Sequence, residues 1–543
     1  MLQLLPVKLW IFLLWALLIS VSLIFRPLFP IDETRYAAVA WEMWFSHDYL
    51  VPHLNGETYS HKPPLLFWLM TASWWLFGVN DWSLRLIAPL FSLATLYLSA
   101  LIARNLWPDR KQVEDLAPLV LLSLFFWNIY STLTMFDMML AFFVVLGIYS
   151  LQRLAYAGLT FRRWLLLGVA IGGGVFSKGP VILLHLLPVA LLAPWWMGKQ
   201  KINFRWRQWY LGLGLSIVIG AVIALSWAIP AGIAGGQAYR NAIFLGQTSG
   251  RLVESFAHRL PWWWYLETLP LLLLPWVLFG PFWSGLRKVS SQDAGIRFCL
   301  AWGLPVFIAF SLVSGKRLHY LMPLVPGLAL LLARTIDEIQ DLHRSKRAHV
   351  IIVAVLAILG IVLGLFPWLN QIFQWRPEFS LLSPVWGEIL LGVSVVLVFA
   401  KALDLREAVL YVCIGTITAV LMISCGFFSI KADRYDTSIV AGKIAALMKE
   451  SRDIALFGVN YHGQYHFTGR LERPITEISD SNALHSWAAS HQNGYVIVTY
   501  GESSKAALEP ILAYHYPFRG QNVGLLSAKI LAETPDLESM LKL

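Results

Sequence analysis

Four separated segments of the chain carry the residues that could do chemistry. The acids are the adjacent pair Asp32 and Glu33 and, much further along, Asp137. The remaining candidates are cations, histidines and tyrosines: Tyr59, His61, Lys62, His258, Arg259, Lys316, Arg317 and Tyr320. Lysine and arginine can hold a phosphate and stabilise it as a leaving group, whereas a carboxylate can orient or deprotonate an acceptor. This combination indicates chemistry on a phosphate-bearing substrate.

The composition places these residues in a membrane protein. Of the 543 residues, 57% are apolar or aromatic and only 14% are charged, about half the charged share of a soluble domain. Soluble globular, disordered and single-anchor proteins are therefore excluded. The excess of 42 Lys and Arg over 32 Asp and Glu fits basic cytoplasmic loops, so no nucleic-acid partner is expected.

The elements that must position the candidates are transmembrane helices. We predict thirteen spans, because that many apolar stretches approach the roughly 20 residues that a bilayer requires. They lie near residues 7–25, 82–103, 116–132, 136–152, 163–177, 179–197, 209–229, 262–282, 297–313, 318–336, 349–369, 385–401 and 407–428. Lys and Arg concentrate in alternate loops, which predicts a cytoplasmic N-terminus and an external C-terminus.

The chain divides into a membrane domain and a polar tail. We predict a catalytic transmembrane domain over residues 1–430, with long outer loops at 27–81 and 230–261. The first loop contains two amphipathic, tryptophan-rich stretches, which are typical of interfacial helices. Residues 431–543 alternate β-like and helix-like runs, which predicts a small α/β domain outside the membrane.

The predicted topology brings all candidate residues to one membrane face. Ordinary roles compete with catalysis there: Asp32 and Asp137 suit helix capping, and Arg259 and the Lys316–Arg317 pair suit lipid headgroups. Two cations in a tight outer loop nevertheless oppose the usual charge bias. The sequence contains no P-loop, dinucleotide-binding, zinc-protease or nucleophile-elbow motif, so nucleotide hydrolysis and zinc proteolysis lack support.

Several motifs together resemble a known family. The chain is similar to the bacterial aminoarabinose transferases that modify lipid A and, more broadly, to GT-C membrane glycosyltransferases that use a polyprenyl-phosphate sugar. The resemblance rests on Asp32-Glu33-x-Arg35-Tyr36, Pro52-His53-Leu54-Asn55-Gly56, Tyr59-x-x-Lys62-Pro63-Pro64-Leu65 and Lys316-Arg317-x-x-Tyr320-x-x-Pro323. These motifs are specific for the superfamily and weak for the sugar and the acceptor.

The resemblance implies a location, a reaction and a set of roles. The protein would lie in the bacterial inner membrane, with its C-terminal domain in the periplasm. It would transfer a sugar from a polyprenyl phosphate to lipid A or another outer-leaflet acceptor, with inversion. Asp32 would be the essential acid, with Glu33 beside it, and Asp137 a second acid near the donor. The lipid phosphate would be surrounded by Tyr59, Lys62, Arg259, Lys316, Arg317 and Tyr320.

The chain departs from the resemblance before Lys62. The family usually has glutamate at the position of His61, where it can hold a metal ion together with a histidine that corresponds to His258. Two histidines still suit zinc, but the difference leaves both a metal cofactor and the sugar open. The alternatives are a protein or polysaccharide glycosyltransferase of the same class and a lipid-linked-sugar flippase. A flippase would place charges along a path through the membrane.

Overall fold

The fold is that of a computed structural model, which describes residues 5–198, 204–245, 260–339, 349–534, 537 and 540–541. Two compact units make up the chain. The first comprises Met1–Phe25, Ser60–Leu66 and Arg85–Gly426, and the second comprises Arg26–Tyr59, Phe67–Leu84 and Phe427–Leu543. The predicted boundary at residue 430 is not tested by this division and stays a prediction.

Long apolar helices dominate the chain between residues 7 and 435. The α-helices of this region are Val7–Phe25, Asp32–Ser46, Leu65–Phe77, Asp81–Leu106, Lys111–Ser123, Phe125–Ser131, Phe136–Ala157, Phe161–Lys178, Val181–Leu191, Ala193–Trp196, Trp206–Ala234, Gly236–Asn241, Trp264–Leu272, Gly280–Leu286, Ala294–Leu312, Val325–Asp337, Val350–Phe373, Val385–Phe399 and Leu405–Tyr435. Short 3₁₀ helices occupy Trp276–Leu278, Leu318–Leu324 and Pro377–Leu381.

Among the described residues, eight helices are long and apolar enough to cross a membrane. The pair Lys111–Ser123 and Phe125–Ser131, bent by 70°, adds a ninth candidate if it forms one span. Each of the thirteen predicted segments overlaps at least one helix of the structure. The prediction of a polytopic helical membrane protein is confirmed, and the count of thirteen stays a prediction.

Small residues let the helix Phe161–Lys178 pack tightly against its neighbour Trp206–Ala234. A Cβ atom at Gly168 would lie 2.6 Å from Ile219 Cγ2, and one at Gly172 would lie 2.6 Å from Ile223 Cγ2. Such close backbone approach is typical of glycine at helix contacts in membranes. The contact fixes the helix that ends at Lys178.

The second unit is built around a five-stranded sheet. Its strands are β3 (Ile454–Phe457), β4 (Thr476–Ile478), β5 (Tyr495–Tyr500), β6 (Leu512–Phe518) and β7 (Gln521–Ser527), and the order is β4-β3-β5-β7-β6. The sheet is mixed: β3 runs parallel to β4 and β5, whereas β7 runs antiparallel to β5 and β6. The helices of this part are Ser438–Lys449, His466–Gly469, Ser481–Ser490, Lys505–Leu508 and Ala528–Glu533, with 3₁₀ turns at Glu502–Ser504 and Glu509–Ile511. The predicted C-terminal α/β domain is confirmed.

Most of the first loop belongs to this second unit. It adds a short hairpin, β1 (His53–Leu54) and β2 (Glu57–Thr58). Asn55 Nδ2 donates to the Ile475 carbonyl at 2.9 Å, and the Ile475 amide donates back to Asn55 Oδ1 at 2.8 Å. The Trp74 ring stacks on Phe467 with centroids 5.1 Å apart. These contacts hold the loop on the sheet domain, while Trp75 remains 81% exposed, as an interfacial position requires.

Candidate functional site

A buried ion pair marks one end of the first unit's helices. Asp137, 2% exposed, lies in the first turn of Phe136–Ala157. Lys178 closes the helix Phe161–Lys178, and its Nζ atom lies 2.6 Å from Asp137 Oδ1. Each charge sits at the helix end whose dipole favours it. Met135 occupies the cap position, without a side-chain capping bond. Capping does not account for Asp137, because its carboxylate is paired with a second buried charge.

Three more residues surround this pair. Lys62 and His319 both interact electrostatically with Asp137. Lys178 Nζ lies 4.9 Å from the centroid of the Tyr320 ring, and the His319 and Tyr320 ring centroids are 4.9 Å apart. We call Lys62, Asp137, Lys178, His319 and Tyr320 the Asp137 cluster. Three predicted site residues, Lys62, Asp137 and Tyr320, are thus brought together.

The charge of the Asp137 cluster suits an anion. The charged groups of the cluster are two lysines and one carboxylate, so the cluster itself carries an excess of positive charge even with His319 neutral. In a poorly solvated site this excess attracts a phosphate more strongly than it would in water. Lysine ammonium groups then contribute charge-assisted hydrogen bonds, and the tyrosine hydroxyl is a further donor.

The Lys316–Arg317 pair is placed differently from the prediction. The Lys316 side chain is 3% exposed, and Nζ donates to the Leu260 carbonyl at 3.0 Å and to the Val313 carbonyl. The Arg317 carbonyl accepts a hydrogen bond from the Tyr265 hydroxyl at 3.0 Å. The Lys316 side chain therefore links its own loop to the segment at Leu260, and a phosphate-binding role for the pair stays a prediction.

The adjacent acids of the first loop have opposite environments. Asp32 is 41% exposed and lies 3.5 Å from Arg35 Nη2. Glu33 is 2% exposed and forms a two-pronged ion pair with Arg26, and its Oε2 also accepts from the Phe29 amide at 2.7 Å. Ile31, which has no hydrogen-bonding side chain, occupies the cap position before Asp32. The Asp32 carboxylate remains accessible, whereas both carboxylate oxygens of Glu33 are bound by Arg26 and the Phe29 amide.

A cavity of about 610 Å³ lies beside Asp32 within the second unit. We call it the sheet-edge cavity, because it begins at the carboxyl end of β3. Its lining includes Ile31, Asn460, His462, Gln464, Thr499, Arg519 and Gln521. His462 interacts electrostatically with Arg35, Asp32 and Arg519, and burial, reinforced by Arg35, lowers the pKa of His462 below its ordinary value. The cavity therefore combines a neutral imidazole with hydrogen-bond donors and acceptors that suit a polar headgroup.

The remaining predicted residues lie apart or outside the described ranges. Tyr59 is buried, with its ring centroid 6.1 Å from that of Phe67, and it belongs to the second unit. His61 is exposed in the first unit. His258 and Arg259 fall outside the described residues. Within the described part of the chain, no three or more His, Cys, Asp or Glu residues group closely enough to hold a metal ion, so the metal site stays a prediction.

Sequence reasoning did not select Lys178, His319 or His462 as site residues. Two weak signals could have found the first two: His319 adjoins Tyr320 at the start of the predicted span 318–336, and Lys178 is a cation in a short outer segment, where cations are rare. His462 has no motif around it, since its contact with the first loop is visible only in the fold.

Comparisons with known proteins agree with this architecture. Residues 61–227 match the family described as dolichyl-phosphate-mannose-protein mannosyltransferase. The chain is 30% identical over 405 residues to the undecaprenyl phosphate-α-4-amino-4-deoxy-L-arabinose arabinosyl transferase of Erwinia tasmaniensis, covering 72% of this chain and 69% of that protein. The chain belongs to this transferase family. A Pectobacterium atrosepticum protein of the same name is 32% identical, with 67% of this chain and 62% of the relative covered.

The fold agrees with membership of the aminoarabinose transferase family. The crystal structure of ArnT from Cupriavidus metallidurans in the apo state superimposes with a TM-score of 0.75 at 18% identity, covering 96% of this chain and 98% of that one. The same protein bound to undecaprenyl phosphate gives 0.75 at 20% identity, with 95% and 98% covered. The predicted GT-C fold and glycosyltransferase class are therefore confirmed, and the chain is a multi-pass membrane enzyme.

Proposed function

We propose that this transferase moves a sugar from undecaprenyl phosphate to lipid A at the outer face of the bacterial inner membrane. The relatives are named for 4-amino-4-deoxy-L-arabinose on undecaprenyl phosphate, which supports an amino sugar of this kind as the donor group. The observation that carries the proposal is the buried Asp137–Lys178 pair with Lys62 beside it. Such a cluster has the charge that a lipid phosphate requires.

In this proposal the Asp137 cluster binds the donor phosphate. Lys62 and Lys178 neutralise it, and Asp137 holds Lys178 in place. The bond from the sugar anomeric carbon to the phosphate oxygen breaks, and undecaprenyl phosphate leaves with the electron pair. Positive charge fixed at the leaving oxygen stabilises the charge that develops there.

Asp32 is proposed to act on the acceptor. Its accessible carboxylate can orient an acceptor hydroxyl and take up its proton as the hydroxyl oxygen bonds to the anomeric carbon, with inversion. The sheet-edge cavity beside Asp32 offers Arg519 and neutral His462 to a polar headgroup. Glu33 positions the loop through its ion pair with Arg26.

The two alternatives predict different chemistry. A flippase would need charged residues along the membrane path, whereas the Asp137 cluster gathers at one end of Phe136–Ala157 and Phe161–Lys178. A protein or polysaccharide acceptor would use the same donor site. The proposed orientation has the N-terminus in the cytoplasm and the C-terminal domain in the periplasm.

Mass spectrometry of lipid A from cells with and without the protein tests the substrate. Wild-type cells should contain lipid A carrying one additional sugar mass, which is lost on deletion. Lys178→Met should lower transfer per folded molecule by roughly one to two factors of ten, as expected for a lost charge-assisted contact of about 1.5–3 kcal/mol. Because this variant also leaves the buried Asp137 carboxylate without its lysine, thermal unfolding is measured beside transfer. The matched control Lys401→Met removes an exposed lysine far along the chain and should retain wild-type transfer.

Two results would overturn the proposal. If lipid A stayed unchanged while a protein or a polysaccharide gained the sugar, the acceptor would be wrong. If the purified protein moved lipid-linked sugar between leaflets without releasing undecaprenyl phosphate, the protein would be a flippase and not a transferase.

A further inference from the structure

A second charged cavity lies at the other end of the first unit's helices. Its volume is about 670 Å³, and its lining includes Lys8, Arg104, Asn105, Lys111, Gln152 and Arg153. Asp137 and Arg153 belong to the same helix, Phe136–Ala157. At about 1.5 Å of rise per residue, they are roughly 24 Å apart along the axis. This basic cavity is therefore separate from the Asp137 cluster and close to the opposite membrane face.

Four basic side chains line the cavity without forming ion pairs to acids in the described part of the chain: Lys8, Arg104, Lys111 and Arg153. Neighbouring arginines behave differently. Arg110 lies 3.2 Å from Asp337 and 3.1 Å from Glu338, and Arg406 lies 2.9 Å from Asp115. Because Asp115 also lines the cavity but is engaged by Arg406, Glu114 is the one remaining acid in the lining. The cavity therefore carries a clear positive excess.

The floor of the cavity is polar and fixed. Gln152 is fully buried, and its Nε2 atom donates to the Ile102 carbonyl at 2.9 Å. Its Oε1 atom accepts from Asn105 Nδ2 at 3.3 Å. A buried amide held in this way is preorganised, whereas the cations around it are long and adjustable. The arrangement suits a compact anion with further hydrogen-bonding groups.

The position of the cavity favours a membrane lipid over a soluble anion. Lys8 lies in the first turn of the candidate span Val7–Phe25, and Arg104 lies in the last turn of Asp81–Leu106. Both therefore sit at the level where a span leaves the bilayer. Basic groups between transmembrane helices at this level bind anionic lipid headgroups. A lipid can reach them while its acyl chains remain in the membrane.

We propose that the basic cavity binds the phosphate headgroup of an anionic phospholipid, as a structural lipid site distinct from the donor site. The cations neutralise the phosphodiester, and Asn105 offers a hydrogen bond from the floor. This site does not depend on which sugar or acceptor the enzyme uses, because it lies at the opposite end of the helices from Asp137.

Native mass spectrometry of the purified full-length protein tests this inference. The wild-type protein should retain phosphatidylglycerol in preference to phosphatidylcholine. The double variant Arg104→Gln/Arg153→Gln should weaken retention at least tenfold, as should the second variant Lys8→Gln/Lys111→Gln, whose side chains are exposed. The matched control Arg376→Gln/Lys401→Gln removes two exposed cations outside the cavity and should bind like the wild type.

Inorganic phosphate separates a lipid site from a soluble-anion site. At millimolar concentration it should not displace the bound lipid. Displacement by phosphate alone would show that the cavity binds a soluble anion and not a lipid. Equal lipid retention by the cavity variants and the control variant would show that the cavity is not the lipid site. Thermal unfolding of each variant identifies misfolding, and the paired surface-lysine variant keeps the test decisive if the arginine variant does not fold. Sugar transfer is not the readout, so failure here leaves the proposed function untouched.

Discussion

Asp32 and Glu33 show how two neighbouring acids take different roles. Asp32→Asn preserves shape and removes the charge of a partly exposed carboxylate, so we expect a normally folded protein with transfer reduced at least a hundredfold. Glu33→Gln removes the charge that neutralises buried Arg26. Leaving one member of a buried pair costs about 3–5 kcal/mol, so this variant should unfold at a lower temperature. Thermal unfolding and transfer rate per folded molecule measure both effects.

The opposite pattern would reverse the assignment. A stable Glu33→Gln protein without activity would make Glu33 the essential acid, and wild-type turnover by Asp32→Asn would exclude Asp32. Glu57→Gln is a suitable control, because Glu57 is an exposed acid of the same loop and its loss should change neither quantity.

At the residue level, the sequence predicts which side chains could take part in a reaction more readily than it predicts which groups those side chains pair with. Asp137 is a candidate because charged residues at span ends are rare, and Lys62 is a candidate because it clusters with other polar residues in the first outer loop. Lys178 was not selected, since its pairing with Asp137 depends on the packing of two helices and not on any local pattern. Glu33 and Lys316 are candidates by residue type, yet the fold engages Glu33 with the Phe29 amide of its own loop and Lys316 with the Val313 and Leu260 carbonyls. Whether such a side chain is buried and paired depends on tertiary packing, which residue spacing along the sequence does not predict.

At the element level, periodicity predicted helices well and their breaks poorly. The stretch 116–132 reads as one apolar span, but the structure bends it by 70° between Ser123 and Phe125. The stretch 262–282 becomes two short helices around a 3₁₀ turn. Prolines such as Pro275 interrupt the backbone hydrogen bonding there. Such breaks depend on neighbouring helices that satisfy the freed carbonyls, and hydropathy does not describe them.

The short helix His466–Gly469 carries a pH-sensitive histidine. Burial lowers the pKa of His466 to about 4, and its Nδ1 atom lies 2.6 Å from the Tyr461 hydroxyl. The folded state binds fewer protons than the unfolded state between pH 6.5 and about 4. Stability is therefore fully present above pH 6.5 and is lost as the pH falls, by roughly 3 kcal/mol.

Hydrogen exchange of the full-length protein measures this loss. Protection of peptides over residues 461–471, corrected for intrinsic exchange, should fall between pH 6.8 and 5. His466→Gln should flatten the dependence, whereas the exposed His515→Gln should leave it in place. A pH dependence that persists unchanged in His466→Gln would assign the effect to another group.

At the scale of the whole molecule, composition predicts a membrane protein, and the polar tail predicts an additional sheet domain. The tail 431–543 was recognised as α/β from its alternating runs, and the five-stranded sheet bears this out. The grouping of residues 26–59 with that sheet was not foreseen, because it rests on distant contacts such as Asn55 with Ile475. Short polar segments acquire such partners only when the chain folds.

The orientation of the chain is the last prediction. Lys and Arg concentrate in the loops that would be cytoplasmic if the N-terminus is inside. A reporter active only outside the cytoplasm, fused after Leu543, should therefore be active, whereas the same reporter fused after Asp404, between Val385–Phe399 and Leu405–Tyr435, should be silent. A fluorescent reporter that folds only in the cytoplasm should give the inverse pattern. If the Leu543 fusion worked only in the cytoplasm, Asp32 and the Asp137 cluster would face the wrong side for an outer-leaflet acceptor.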